Sequence, residues 1–176
     1  MKFRSIAISG DIGTGKTTLA KKLAEKLGWN HVNAGDYFRK WHEENNVPLN
    51  ETEKIPEEKD KELDYEFQNQ MRTEENTVFE SRLAGWLAKD MADVLKVLCV
   101  ADFKTAAKRA SERDQVSLEE GTENARIRSR ALKEKFKKLY KVDDYLDPKY
   151  FDLVVDTVKN DPEQALNLAL KALEKE

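Results

Sequence analysis

The chain of 176 residues holds one cysteine and two histidines, and no apolar run in it approaches the roughly 18 residues that a membrane span needs. Each scarcity removes a class of function. With Cys99 alone, neither an internal disulfide nor a cysteine-cluster metal site can form, and the cytoplasm is the expected compartment. Cys99 lies in VLKVLCV, where a small buried hydrophobe is expected rather than a reactive thiol. His31 and His42 have no partner at metal-ligand spacing, so each is expected to be structural or exposed. Two basic residues stand within Met1–Arg4, but the apolar run behind them is too short for a secretory signal. Internal repeats, low-complexity tracts and interdomain linkers are also missing.

What the chain does have is charge of both signs, 34 acidic against 31 basic residues for a net charge of −3. That balance describes a soluble protein of mixed charge, with neither a nucleic-acid nor a membrane partner expected. The length suffices for one well-buried core and is short for two. A single domain with small appended subdomains, working as a monomer, is the expectation.

The chain is organised around SIAISGDIGTGKTTLAKKL, Ser5 to Leu23. An apolar, β-branched run ends in a loop that fits the phosphate-binding pattern G-x-x-x-x-G-K-[ST] from Gly10 to Thr17, through Asp11, Ile12, Gly13, Thr14, Gly15 and Lys16. Glycines suit such a loop because the backbone must fold around a polyphosphate with its N–H groups inward, in conformations a Cβ would obstruct. Leu19, Ala20, Leu23, Ala24 and Leu27 recur at helical spacing, so the loop feeds a helix whose N-terminal dipole faces the anion. Lys16 is expected on the β- and γ-phosphates of ATP, the Thr17 hydroxyl on Mg²⁺ and Thr18 on the α-phosphate.

Downstream, strands and helices alternate. Gly28 fits a helix stop, Trp29–Asn33 a short strand, and AGDYFRKWHEEN a helix whose Tyr37, Phe38 and Trp41 are expected to pack into the core. Pro48 and Pro56 mark Val47–Glu58 as a loop. The next helix carries Leu63, Phe67 and Met71 on one face and a crowd of carboxylates on the other, most of them expected in solvent, with Asp64 and Gln68 as candidate exceptions. Thr77–Phe79 reads as a buried strand ended by Glu80, and a carboxylate at that end of a strand is where a Mg²⁺ partner is expected. Val94–Val100 is the next strand, after which Asp102 caps a helix bearing Arg109 and Arg113 on one face, a fork for a triphosphate. Ser117–Glu120 has capping-box spacing that Gly121 weakens, and a basic helix with Arg126, Arg128 and Arg130 runs from Glu123 to Tyr140. DLVVD is a last strand, and Asp161-Pro162 opens a terminal helix. The fold expected is α/β, a P-loop core with a parallel sheet of about five strands and helices on both faces.

With the phosphate loop, NAGDYFR, FESRLAGW and the arginine-bearing helices in this order, the chain resembles the nucleoside monophosphate kinases and, more narrowly, the archaeal-type cytidylate kinases. The resemblance runs from the first strand to the final helix. It implies a core of residues 1–35, 77–112 and 136–176, a monophosphate-binding insert at 36–76 and a lid at 113–135. It also implies Asp36, Arg39, Arg82 and Asp64 around a monophosphate, CMP above all, and Arg109, Arg113 and Arg128 around ATP and the transferring group. Ser81 stands where the family has glycine, Ala131-Leu132 where it has Ser-Glu, and Lys135-Phe136 where it has Arg-Tyr.

An acceptor phosphate is already anionic near neutral pH, its second pKa being about 6, so transfer to it needs no protein base. Other readings stay open. A kinase for a small-molecule hydroxyl, shikimate-kinase-like, would need a base, for which Asp36 is the candidate. A protein that binds ATP without transferring it would keep the loop and lose the lid chemistry. A GTP switch is disfavoured by the lack of D-x-x-G and N-K-x-D.

Overall fold

A computed structural model describes residues 3–48, 51 and 54–174, so the expected loop at Val47–Glu58 lies partly outside the described residues. Among them, one sheet has five strands: β1 (Ser5–Gly10), β2 (Asn30–Asn33), β3 (Thr77–Glu80), β4 (Val94–Val100) and β5 (Leu153–Asp156). Their order is β2-β3-β1-β4-β5 and every pair is parallel. The helices are α1 (Lys16–Leu27), α2 (Ala34–Glu44), α3 (Glu57–Thr73), α4 (Ala84–Leu87), α5 (Phe103–Asp114), α6 (Leu118–Tyr140) and α7 (Pro162–Glu174).

β1 is central and buried along its whole length, which is why it reads as an unbroken apolar run flanked by small residues. Its side chains alternate between two cores. Ile6 and Ile8 pack with Leu19 and Leu23 of α1 and Leu166 and Leu173 of α7. Ala7 faces the opposite layer, with Phe67 and Met71 of α3, Phe79 of β3 and Phe136 of α6. Cys99 is buried in the first of these cores, and burial pushes its thiol up to about 12, so it is inert at neutral pH.

The sequence-based expectations fail at two places in the helices. Tyr37 is 50% exposed, whereas Phe38 and Trp41 are half-buried and Ala34 and His42 are the buried residues of α2. Gly121 does not weaken the start of α6. The Ser117 hydroxyl caps the helix by accepting from Glu120 N at 3.1 Å. A Cβ at Gly121 would lie 2.4 Å from Ser111 Cβ, so glycine is what lets α6 cross α5 closely.

Register sets the position of the site. β2 and β3 pair Asn33 with Glu80, and β3 and β1 pair Glu80 with Ile8, two residues before the loop. The C-terminal ends of three strands thus meet at one edge, where open parallel sheets bind their ligands.

Candidate active site

The loop between β1 and α1 holds Gly13 at φ 71° and Gly15 at φ 82°, left-handed conformations in which glycine alone is unstrained. At Gly13 a Cβ would also fall 2.0 Å from the Ala106 carbonyl oxygen. Gly15 is the N-cap of α1 and brings no side chain to its first N–H groups, leaving them to a bound anion. Lys16 Nζ donates to the Asp11 carbonyl at 3.3 Å. Burial above all, then the neighbouring Arg82, lowers its pKa to about 8, against the opposing charges of Glu80 and Asp11.

Thr17 donates its hydroxyl to Glu80 Oε1 at 2.5 Å. Glu80 is 1% exposed. Burial works against its ionised form, yet hydrogen bonds from His31 and Thr17 and the charge of Lys16 hold its carboxyl below the usual range. The donor set is therefore hydroxyl and carboxylate oxygen at a phosphate loop, which suits a hard divalent cation such as Mg²⁺. Among the described residues no three or more His, Cys, Asp or Glu side chains form a metal cluster. A cation here would complete its shell from nucleotide and water, as Mg²⁺ does when bound through one or two protein oxygens.

Four arginines face the same cleft as Lys16, Thr17 and Glu80: Arg39 from α2, Arg82 after β3, Arg113 from α5 and Arg128 from α6. Few anions answer them. Arg39 pairs with Asp36, Arg82 is 3.3 Å from Asp11 Oδ1, and Arg113 makes a two-pronged contact to Asp114 at 2.7 and 2.9 Å. Arg128 reaches only to 4.0 Å from Asp114. Burial, with Arg82 and Arg113 beside it, pulls the Arg128 guanidinium down to about 10. Arg128 Nε is buried without a hydrogen-bond partner among the described residues, and Arg82 Nη1, also buried, has its ion-pair contact to Asp11. An unsatisfied buried donor is costly, and an anion in the cleft would answer it.

At the far end the cleft changes character. Phe38, Ile55, Leu132 and Phe136 form apolar walls, and Asp60, Asp64 and Lys135 supply polar groups. Asp64 is 7% exposed and accepts from the Tyr140 hydroxyl at 2.6 Å. Burial chiefly, then Asp60, pushes its carboxyl up to about 7. Asp60 is buried and ion-paired to Lys135 of α6.

Other candidates fall outside this cleft. Arg109 donates to Thr157 Oγ1 and to the Thr157 carbonyl, both at 2.9 Å, while Thr157 Oγ1 donates to Thr14 O, so this network lies behind the phosphate loop. Thr18 is exposed, and Asp36 is exposed beside Arg39. Asp11 accepts from Ser129 of α6 with both carboxylate oxygens at 2.8 Å. Gln68 ties α3 to α4 through the Leu87 carbonyl at 2.8 Å.

Residues 5–159 match the model of the cytidylate kinase-like family. The chain belongs to that family. A cytidylate kinase from Ignicoccus hospitalis is 39% identical over 171 residues, covering 96% of this chain and 98% of its own. One from Haloarcula marismortui is 35% identical over 172 residues, covering 96% and 88%. The shikimate kinase of Acinetobacter baumannii, solved with shikimate, superposes with a TM-score of 0.57 at 18% identity, over 98% of this chain and 92% of its own. That likeness is one of fold alone.

Sequence reasoning missed Asp60, Lys135, Tyr140 and His31. A signal for the first was present: Asp60, Asp64, Phe67 and Met71 are the buried residues of α3 and fall at i, i+4, i+7 and i+11, so both carboxylates continue the apolar stripe.

Proposed function

We propose that this member of the cytidylate kinase-like family transfers the terminal phosphoryl group of ATP to CMP or dCMP, yielding ADP and the nucleoside diphosphate. The observation that carries the reading is the convergence of Lys16 and four arginines on one cleft beside the phosphate loop, with an apolar, carboxylate-bearing pocket at its other end. Two phosphate groups brought together need this much positive charge, because mutual repulsion opposes their approach.

In this reading Gly10–Thr18 cradle the ATP phosphates with backbone N–H groups, and Arg109 serves the donor nucleotide. Lys16 holds the β- and γ-phosphates. Thr17 and Glu80 hold Mg²⁺, which when bound neutralises charge on the phosphate oxygens. Arg39 and Arg82, with Asp36 behind Arg39, align the acceptor phosphate; Arg113 and Arg128 stabilise the charge on the transferring group. No residue acts as a base toward the acceptor, which arrives ionised. Residues 36–76 form the monophosphate-binding insert and 113–135 the lid, whose closure keeps water from competing as acceptor.

The base end follows from hydrogen-bond polarity. Cytosine presents an N4 amino donor beside ring acceptors, so Asp64 accepts from N4, and uracil would oppose it with a carbonyl oxygen. Asp36 stands in solvent, paired with Arg39, which disfavours the hydroxyl-kinase alternative that needed it as a base. No helix among the described residues is long and apolar enough to cross a membrane. The enzyme works in this reading as a cytoplasmic monomer. Arg39→Ala tests the acceptor assignment: KM for CMP rises while ATP affinity holds, and equal damage to both would remove it.

A further inference from the structure

Glu80 has both carboxylate oxygens occupied from different sides: Thr17 donates to Oε1 at 2.5 Å and His31 Nε2 lies 3.0 Å from Oε2. An ionised carboxylate only accepts, so His31 contributes the donor and carries its proton on Nε2 in this contact. The geometry comes from the sheet. Asn33 pairs with Glu80 and His31 stands two residues earlier on β2, so both point to the face that Glu80 uses and His31 reaches diagonally across the β2–β3 pair. Both partners are shielded, with Glu80 2% and His31 19% exposed at the side chain.

A glutamate side chain has three rotatable bonds, and one hydrogen bond to Thr17 leaves its carboxylate free to swing about that contact. A second bond on the other oxygen removes the swing. We propose that His31 is a positioning residue whose imidazole fixes the Glu80 carboxylate so that Oε1 stays beside Thr17 at the phosphate end of the loop. The inference rests on the reading of Glu80 and Thr17 as the oxygens that hold Mg²⁺ with ATP. Groups that orient such a carboxylate from behind matter nearly as much as the carboxylate itself, because they fix where its oxygens point.

The test is ATP binding by titration calorimetry, with Mg²⁺ and again with EDTA, on the wild type and on His31→Leu, His31→Gln and Glu80→Gln. His31→Leu is expected to weaken binding of Mg·ATP by roughly 10-fold while leaving metal-free ATP unchanged. His31→Gln, whose amide N–H reaches a similar place, should restore it. A His31→Leu protein that binds Mg·ATP like the wild type overturns the proposal. So does an equal loss with Mg²⁺ and EDTA, which would make His31 a mere tether between strands. If the leucine variant does not fold, His31→Asn, polar but too short to reach Glu80, takes its place with the same two outcomes. Glu80→Gln separates the underlying reading: normal Mg²⁺ dependence there removes both ideas, while a defect there beside a normal His31→Leu removes only the role of His31.

Discussion

The Tyr140 hydroxyl of α6 donates to Asp64 of α3 at 2.6 Å, joining the two helices that flank the apolar end of the cleft. Asp64 is therefore a carboxylate that is buried yet supplied with only part of its hydrogen-bonding capacity. Its pKa of about 7 against an ordinary 3.8 follows from burial first, with Asp60 adding to it and Tyr140 opposing. Between those pH values the folded chain holds a proton the unfolded chain has released, so this group's contribution to stability falls as pH rises toward 7.

Asp64→Asn removes that dependence. In urea unfolding at about pH 5 and about pH 8, the stability of the variant relative to wild type should improve by roughly 3 kcal/mol across the interval, at 1.36 kcal/mol per pH unit. A pH-independent difference would contradict the burial of an ionisable Asp64. The same variant should narrow the CMP to UMP preference by about 1–3 kcal/mol, the worth of a charge-assisted bond to the base. An unchanged preference would return Asp64 to a structural role.

Lys16→Ala should abolish transfer and leave the thermal midpoint near that of wild type. Its ammonium reaches only the Asp11 carbonyl at 3.3 Å and supports no core. Turnover at the wild-type rate would remove the kinase mechanism, and loss of folding would make Lys16 structural.

Arg39 of α2 and Arg113 of α5 should separate kinetically. Arg39→Ala is expected to raise KM for CMP by about 10- to 100-fold, the loss of one charge-assisted contact, with ATP affinity held. Arg113→Ala should mainly lower kcat if its contact strengthens in the transferring state. The reverse pattern would exchange their roles.

Gly121→Ala tests the crossing of α5 and α6. Alanine favours a helix over glycine by about 1 kcal/mol, but its Cβ would lie 2.4 Å from Ser111 Cβ. Overpacking of that kind costs roughly 1–3 kcal/mol, so net destabilisation is expected in chemical denaturation. A stabilised variant would mean the helices separate without penalty.

Much of this arrangement was legible in the sequence because local rules and tertiary structure agree. The phosphate loop, the five strands and the terminal helix follow from periodicity and turn chemistry alone, and the place of Glu80 at the end of β3 was read from the strand ending in a carboxylate. Asp60 and His31 were not legible in the same way. Acidic residues on a helix usually face water, and only α6 packing across α3 puts Asp60 against Lys135. His31 and Glu80 are separated by 49 positions, and parallel register alone brings them together. Gly121 misled for a related reason: its use lies in contact with Ser111 of another helix rather than in its own.

The central claim, phosphoryl transfer to a cytosine nucleotide, is tested most directly by coupled ADP release from ATP with CMP, dCMP, UMP, AMP, GMP and shikimate offered in turn. CMP or dCMP should give the highest kcat/KM, UMP a lower one, and shikimate no turnover. Preference for AMP would contradict the cytidine assignment, and ADP release with shikimate alone would contradict the monophosphate kinase itself.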